Sequence, residues 1–136
     1  RIKNNNPPVI FEDGNQTRDF IYIDDIVNVN YEALEKSDGT CVFNIGAGEP
    51  TSILEIAKLL IELTNSGVEP SVTQKFRPGD NRHDFSDISK AKKKLGFKPR
   101  WKIRDGFKKL VEWSYTQDAM VKFKEAEEER GKYFDV

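Results

Sequence analysis

Short apolar runs alternate with longer segments of helical spacing along most of this chain. β-rich stretches predict strands at 17–23, 41–45 and 72–76, with a further short apolar run at 9–11 closed by a turn. The stretch 41–45 is apolar enough to be buried. This alternation predicts an α/β fold, although so few short strands cannot form a complete doubly wound sheet.

Helical periodicity predicts four helices. Asp24 and Asp25 offer an N-cap for the first helix, which is expected to end at about Lys36. Ser52 and Glu55 have the spacing of a capping box and open the second helix. The predicted spans are about 24–36, 52–65, 87–96 and 103–115, and the buried faces comprise Ile26, Val29, Ala33 and Leu34 in the first helix and Phe107, Leu110, Val111, Ser114 and Tyr115 in the last.

Composition and charge narrow the function classes. The chain has 136 residues, of which 37% are hydrophobic and 33% charged, which suits one packed domain rather than a disordered segment. No apolar run approaches the roughly 20 residues of a membrane-spanning helix, so no membrane contact is expected. Cys41 is the only cysteine, so no internal disulfide can form and the cytoplasm, a reducing compartment, is the expected location.

Nucleic acid is not an expected partner. The formal net charge of −1 lacks the electrostatic footprint of a nucleic-acid binder. The strongest basic cluster comprises Lys90, Lys92, Lys93 and Lys94. No aromatic residue is interleaved with these lysines to stack on bases, so a solvated helix face is the favoured interpretation.

Two other motifs admit a functional and a plainer interpretation. His83 is the only histidine and no cysteine accompanies it, so an ordinary polar role is favoured over a metal site. Gly46-Ala47-Gly48 follows a predicted strand and precedes a helix, as a dinucleotide-binding turn does. However, Thr51 stands where that motif requires glycine or alanine, which favours a tight turn that leads into the helix.

Two arginines and an aspartate offer chemistry of another kind. Arg18 interrupts a β-rich segment, and Arg77 lies in a loop with Pro, Gly and Asp80. An arginine presents a planar donor fork to phosphate, and a nearby carboxylate accepts from sugar hydroxyls. The combination suits a nucleotide diphosphate. Alternatively, Arg18 pairs with Asp19 or with another acid.

Several ordered motifs resemble a known family. The stretch DGNQTRDFIYIDDI at 13–26 is followed by FNIGAG, TS, RPGD, DISKA, LGFKP and EW. In this order they resemble the extended short-chain dehydrogenases/reductases, specifically the NAD-dependent nucleotide-sugar epimerases and dehydratases, with UDP-glucose 4-epimerases nearest. The resemblance covers roughly residues 1–115 and implies the C-terminal, substrate-binding subdomain of that fold.

The resemblance also implies roles for individual residues. Arg18 and Arg77 would hold the diphosphate of a nucleotide sugar, most plausibly a UDP-sugar, and Asp80 would bind the ribose. The segment Val9, Ile10 and Phe11 would line the base, partly through backbone groups. Asn44 would reach the nucleotide, as in some dehydratase-like members, or tie the strand to the following turn.

The same resemblance implies that parts of the enzyme lie elsewhere. The family binds NAD through an N-terminal Rossmann domain, and its catalytic Ser or Thr and Tyr-x-x-x-Lys pair are upstream of this stretch. No tyrosine here is followed by lysine four positions later, so no catalytic, cofactor-binding or metal-binding residue is assigned to this chain. The chain begins with Arg1 and its one methionine is Met120, so we expect a fragment that is inactive alone.

The expected activity of the full-length protein is C4 inversion of a nucleotide sugar through a transient 4-keto sugar. The resemblance leaves open a dehydratase, decarboxylase or reductase, and a stand-alone nucleotide-binding module without catalysis is the alternative from another class. Expected partners are the missing Rossmann domain and a second copy in a homodimer. Residues 116–136 are expected to form a charged helical extension.

Overall fold

The computed structural model describes residues 1–75, 79–120 and 122, which contain four α-helices and two small sheets. The helices are α1 (Ile23–Lys36), α2 (Ile53–Leu63), α3 (Ser89–Leu95) and α4 (Ile103–Ser114), preceded by a 3-10 turn at Ile2–Asn4. The strands are β1 (Val9–Ile10), β2 (Thr17–Asp19), β3 (Pro50–Ser52), β4 (Ser71–Val72) and β5 (His83–Asp84). The predicted α/β class is confirmed for this part of the chain.

The strands form two separate sheets. β1 pairs in parallel with β4. In the second sheet β2 is central, with β3 antiparallel on one side and β5 parallel on the other. Neither β3 nor β5 was predicted, because strands of two or three residues in polar sequence carry no alternation to detect.

The main core lies between α1 and α3. Because Val29 of α1 is 2% exposed, it lies at the centre of this core. Gly96 ends α3 in a left-handed conformation, φ 75°, which directs the chain back across the core. The buried cluster comprises Val29, Ile88, Ala91, Leu95 and Phe97, with Ile21, Ala33, Phe43 and Ile45 packed against it.

The second helix begins as predicted. Ser52 is its N-cap and accepts a hydrogen bond from the backbone N–H of Glu55, while the Glu55 carboxylate accepts from the backbone N–H of Ser52. The pKa of Glu55 is lowered because its carboxylate accepts from the Ser52 hydroxyl and from the Ser52 backbone N–H. α2 then packs against α4, where Arg104 donates to both carboxylate oxygens of Glu62, at 3.0 and 2.5 Å.

The predicted start and buried face of α1 need correction. The helix begins one residue earlier, with Tyr22 as N-cap, and neither Asp24 nor Asp25 caps it. Asp25 instead lies 2% exposed and accepts hydrogen bonds from the backbone N–H groups of Arg100 and Trp101. The prediction that Leu34 is buried is wrong: Leu34 is 85% exposed, whereas the neighbouring Ala33 packs against the core.

The strand predicted at 41–45 does not form. Val42 is exposed, and its carbonyl accepts from the side chain of Lys90 rather than from a neighbouring strand. An apolar extended segment needs a backbone partner to become a strand, and within the described residues this segment has none. Similarly, the strand predicted at 17–23 ends at Asp19, and α1 begins at Ile23.

The end of the described chain also departs from expectation. Leu110 and Tyr115 were predicted to face inward, but they are 46% and 59% exposed. The backbone leaves the helix after Ser114, whose carbonyl accepts from the side chain of Lys3, while Asn4 donates to the carbonyl of Ala119. Residues 121 and 123–136 of the predicted extension lie outside the described residues, as does Phe76.

Candidate functional site

Arg18 lies in the middle of β2, opposite Asp84 of β5. Its guanidinium donates to the carbonyl of Thr17 at 2.8 Å and to the carbonyl of Arg82 at 3.4 Å. It also forms an ion pair with Asp80, 2.5 Å from Nη2 to Oδ1. The acid that pairs with Arg18 is therefore Asp80 and not its neighbour Asp19, and two of the residues assigned to the nucleotide lie together.

This arrangement leaves hydrogen-bonding capacity on both side chains. A guanidinium carries five N–H donors, and the contacts of Arg18 use both hydrogens of Nη1 and one of Nη2. Within the described part of the chain, its Nε–H and second Nη2 hydrogen have no partner. The side chains of Arg18 and Asp80 are 26% and 30% exposed, so solvent and ligands reach them. Unused guanidinium donors can bind phosphate oxygens.

Arg82 is a further arginine at this site that sequence reasoning missed. It forms ion pairs with Glu12 at 2.5 Å and Asp13 at 2.7 Å. Hydrogen bonds from Arg82 and from the backbone of Asn15 hold the pKa of Asp13 well below its ordinary value. Arg82 thus ties the turn after β1 to the segment that carries Asp80. The sequence signal for this role was the acidic pair Glu12 and Asp13 together with an arginine two residues after Asp80.

The expected base-binding segment lies next to the segment that leads to Arg77. Val9 and Ile10 pair with β4, and the Ile10 carbonyl accepts from Thr73 at 2.9 Å. Ile10 and Phe11 are buried, and the Phe11 carbonyl accepts from the side chain of Gln16. Their side chains therefore belong to the interior, and Val9 is the half-buried member of the three.

The two remaining predicted site residues are not joined to Arg18 by any described contact. Arg77 lies outside the described residues. Asn44 is exposed in the extended stretch before the glycine-containing turn, and its side chain forms no hydrogen bond among the described residues. Its predicted alternatives, a nucleotide contact or a tie to the turn, both stay predictions.

The turn at 46–48 binds an acid of the chain itself. Asp19 accepts hydrogen bonds from the backbone N–H groups of Ala47 at 2.6 Å and Gly48 at 3.1 Å. In a dinucleotide-binding turn, such N–H groups donate hydrogen bonds to a pyrophosphate. Because these two donors are already used, the turn does not fit NAD, and the interpretation as a tight turn stands.

His83 and Lys90, the other candidates for a chemical role, form ordinary contacts with neighbouring residues. Nδ1 of His83 lies 2.9 Å from the hydroxyl of Thr17, across the β2–β5 pair. Lys90 is 5.1 Å from the ring centroid of Phe43, and its ammonium group donates to the carbonyl of Val42. Among the described residues, there is no group of three or more His, Cys, Asp or Glu side chains that could hold a metal ion. The helices of that part include none long and apolar enough to cross a membrane.

Comparison with known proteins decides the family. The family model described as GDP-mannose 4,6 dehydratase matches residues 1–110. The chain belongs to this family. Its members are the NAD-dependent nucleotide-sugar epimerases and dehydratases of the extended short-chain dehydrogenase/reductase class, which confirms the family expected from the motifs.

Curated relatives of this family member are longer than the chain. It is 39% identical over 105 residues to a dTDP-L-rhamnose 4-epimerase of Burkholderia thailandensis, a match covering 76% of the chain and 29% of the relative. It is 35% identical over 113 residues to a putative UDP-glucose 4-epimerase of Methanocaldococcus jannaschii, covering 83% of the chain and 36% of the relative. The chain therefore spans about a third of the length of these relatives.

Solved structures of the family share the fold. A UDP-glucose 4-epimerase of Thermotoga maritima, solved with UDP-glucose, superposes with a TM-score of 0.78 at 40% identity, over 85% of the chain and 37% of that protein. A UDP-glucuronic acid 4-epimerase of Bacillus cereus, solved with UDP-glucuronic acid and NAD, gives 0.76 at 34% identity, over 84% and 37%. The α/β architecture described above is thus that of part of these enzymes.

Proposed function

We propose that this chain is the nucleotide-sugar-binding portion of an NAD-dependent 4-epimerase that acts on a UDP-sugar. The observation that carries the proposal is the β2–β5 pair, which places Arg18 beside Asp80 while leaving donors on Arg18 unused. The named solved relatives hold UDP-glucose or UDP-glucuronic acid, which supports this ligand class.

In the proposed complex, Arg18 donates to the diphosphate through its Nε–H and its spare Nη2 hydrogen. Asp80 accepts from a ribose hydroxyl through Oδ2, since Oδ1 is held by Arg18. Arg77 is proposed to bind the diphosphate as well. These contacts lie far from the reacting sugar carbon, so their contribution is to anchor and orient the substrate.

The base is proposed to lie along β1. The Val9 side chain is the accessible apolar group of that strand, while Ile10 and Phe11 support it from the interior. The ion pairs of Arg82 with Glu12 and Asp13 fix the end of this segment relative to Asp80. The base and ribose subsites would therefore keep a constant separation.

The chemistry of epimerisation is proposed to lie in the remainder of a longer protein. NAD supplies a hydride acceptor in this class of reaction, but the 46–48 turn, which resembles a dinucleotide-binding turn, is filled by Asp19. The chain would then supply substrate binding to a Rossmann domain that carries NAD and the proton-transferring residues. We expect the assembled enzyme to be a cytoplasmic homodimer.

An exposed apolar face on α1 supports this arrangement. Four side chains spaced at helical intervals lie on that face, Ile23 at 60%, Val27 at 59%, Tyr31 at 62% and Leu34 at 85% exposure. Next to Ile23, a groove of about 410 Å³ is lined by aromatic and aliphatic residues including Phe107 and Leu110. Contiguous exposed apolar surface marks an interaction site, and we propose that the Rossmann domain covers it.

The decisive experiment measures UDP binding to the full-length protein by calorimetry. Arg18→Ala is expected to weaken binding by roughly 10- to 150-fold, since a charge-assisted hydrogen bond contributes about 1.5–3 kcal/mol. Arg100→Ala is the matched control, because Arg100 is 68% exposed and only distantly paired with Glu32. Equal affinities for the Arg18 variant and the control would refute the proposed role.

Two further measurements separate the alternatives. Product analysis with UDP-glucose, UDP-galactose and dTDP-glucose distinguishes an epimerase from a dehydratase, decarboxylase or reductase. UDP titration of the 136-residue chain alone tests the stand-alone binding module. High-affinity binding by a stable monomer would favour the module, whereas aggregation through the α1 face would favour a part of a larger enzyme.

A further inference from the structure

Asp19 contacts more backbone groups than any role assigned above explains. Its Oδ1 accepts from the N–H of Ala47, and its Oδ2 accepts from the N–H groups of Gly48 and Ser86, both at 3.1 Å. One side chain on β2 thereby joins the 46–48 turn to the residues just after β5. Because neighbouring side chains of a strand point to opposite faces, Asp19 does this on the face opposite Arg18.

Gly46 shows how closely this carboxylate is surrounded. A Cβ at that position would lie 2.1 Å from Oδ2 of Asp19 and 2.8 Å from the Cβ of Ser86. No side chain can occupy that space without displacing the carboxylate or the β5 segment. The glycine is therefore required for the approach of Asp19, which gives the glycine-containing turn a purpose other than phosphate binding.

The position of β5 depends on this contact because the strand itself is so short. Its ladder with β2 contains two residue pairs. Before the ladder, the N–H of Thr17 donates to the carbonyl of Arg82 at 2.9 Å. After it, Asp19 accepts from Ser86. β5 is thus fixed at both ends, and the end held by Asp19 prevents a slip in register, which would turn each side chain to the other face.

The partners of Arg18 belong to the segment that β5 anchors. The carbonyl of Arg82 and the carboxylate of Asp80 precede the strand directly and set the direction of the guanidinium. We propose that Asp19 is a positioning residue of the nucleotide-diphosphate site: it fixes the register of β5 on β2 and so aims the unused donors of Arg18 at the phosphates. This inference rests on the proposed function of Arg18.

The test is a double-mutant cycle on UDP binding in the full-length protein. The four proteins are the wild type, Asp19→Asn, Arg18→Ala and the double variant. Asparagine keeps the shape of the side chain but loses one acceptor, so at least one of its three backbone bonds is broken in either amide orientation. Ligand-observed NMR provides the dissociation constants, because it extends to the millimolar range expected for Arg18→Ala.

The expected result is a loss that depends on Arg18. Asp19→Asn should weaken UDP binding about tenfold when Arg18 is present and less than about twofold when residue 18 is alanine, the signature of coupled residues. Asp24→Asn, an exposed acid outside the site, is the matched control and should bind like the wild type. An equal loss in both backgrounds, or no loss in either, would overturn the positioning role.

Folding is checked separately, by circular dichroism at the assay temperature. If Asp19→Asn does not fold, Asp19→Glu replaces it, because the glutamate keeps the charge and moves it by one methylene. The same Arg18-dependent loss is expected from Asp19→Glu, and wild-type affinity would contradict the proposal. Failure of the proposed function looks different: Arg18→Ala alone would then leave UDP affinity unchanged.

Discussion

Around β2 and β5 the exposed arginines have acidic partners, whereas the outer face of α1 presents apolar side chains that no described segment covers. Arg18 is paired with Asp80, and Arg82 with Glu12 and Asp13. On α1, in contrast, the exposed side chains recur at the interval that predicts burial. The polar region suits the proposed nucleotide ligand, and the apolar face suits the proposed contact with a protein surface.

The difference teaches that a helical pattern of apolar residues predicts burial without saying whether this chain supplies the covering surface. Helical periodicity on α1 predicted that Leu34 is buried, yet only the side facing α3 is covered in this chain. A water-exposed apolar helix face is unfavourable by about 25 cal/mol per Å² of removable apolar surface. We expect the two sides of α1 to respond in opposite ways to the same substitution.

The largest effect should come from the buried side of α1. Val29→Ala removes two methyl groups from the core and should lower the free energy of unfolding by roughly 2–3 kcal/mol. Val27→Ala makes the identical change on the exposed side and should alter the stability of the chain by less than about 0.5 kcal/mol. Urea unfolding followed by circular dichroism measures both.

The variants Val29→Ala and Val27→Ala also test, in the full-length protein, whether another domain covers α1. If the Rossmann domain covers α1, Val27→Ala should become clearly destabilising there, since its methyl groups would then be buried. A Val27 variant as neutral in the full-length protein as in the chain alone would mean that this face is not the domain contact.

A smaller effect is expected at the junction between the polar sheet and the helices. Ser52 pairs with Thr17 across β3 and β2 and also caps α2. Ser52→Ala leaves the strand pairing but removes the acceptor for the N–H of Glu55, which should destabilise the chain by about 1 kcal/mol. Ser71→Ala, at an exposed position of β4, serves as the control, and equal unfolding midpoints would contradict the capping role.

Local signals predicted the helices well. The capping box at Ser52 and Glu55 and the positions of all four predicted helices follow from interactions between residues that lie within one or two helical turns of each other. The short strands were less predictable, because β5 is defined by its pairing with β2 and not by its own composition. The stretch 41–45 shows the converse, an apolar run that remains unpaired in the described chain.

The candidate site residues were also only partly predictable, because some of their roles depend on contacts that are distant in the sequence. Arg18 and Asp80 were proposed as site residues because their chemistry suits a nucleotide diphosphate and because the surrounding motifs resemble a family. That Arg18 pairs with an acid was an alternative that the residues left open, but they did not identify Asp80 as that acid. Arg82 and Asp19 were missed as site residues, because their roles depend on contacts with residues 28 to 70 positions away.

The smallest effect concerns the ion pairs of Arg82 and is read from pH dependence. The pKa of Asp13 is lowered in the folded chain, first by its hydrogen bond with Arg82. A lowered folded-state pKa contributes stability above the unfolded value, about 4, and this contribution is lost as pH falls through the folded pKa.

Arg82→Met should therefore lower the melting temperature at pH 7 slightly, and the difference from wild type should shrink progressively below about pH 4. Added salt should shrink it at pH 7 as well, because both partners are solvent-accessible. Lys109→Met, which breaks a helical surface pair with Glu112 away from the site, provides the matched control. A difference between Arg82→Met and wild type that is constant from pH 7 to pH 2 would show that Arg82 acts through packing, and the ionic link between the base segment and the Asp80 segment would have to be abandoned.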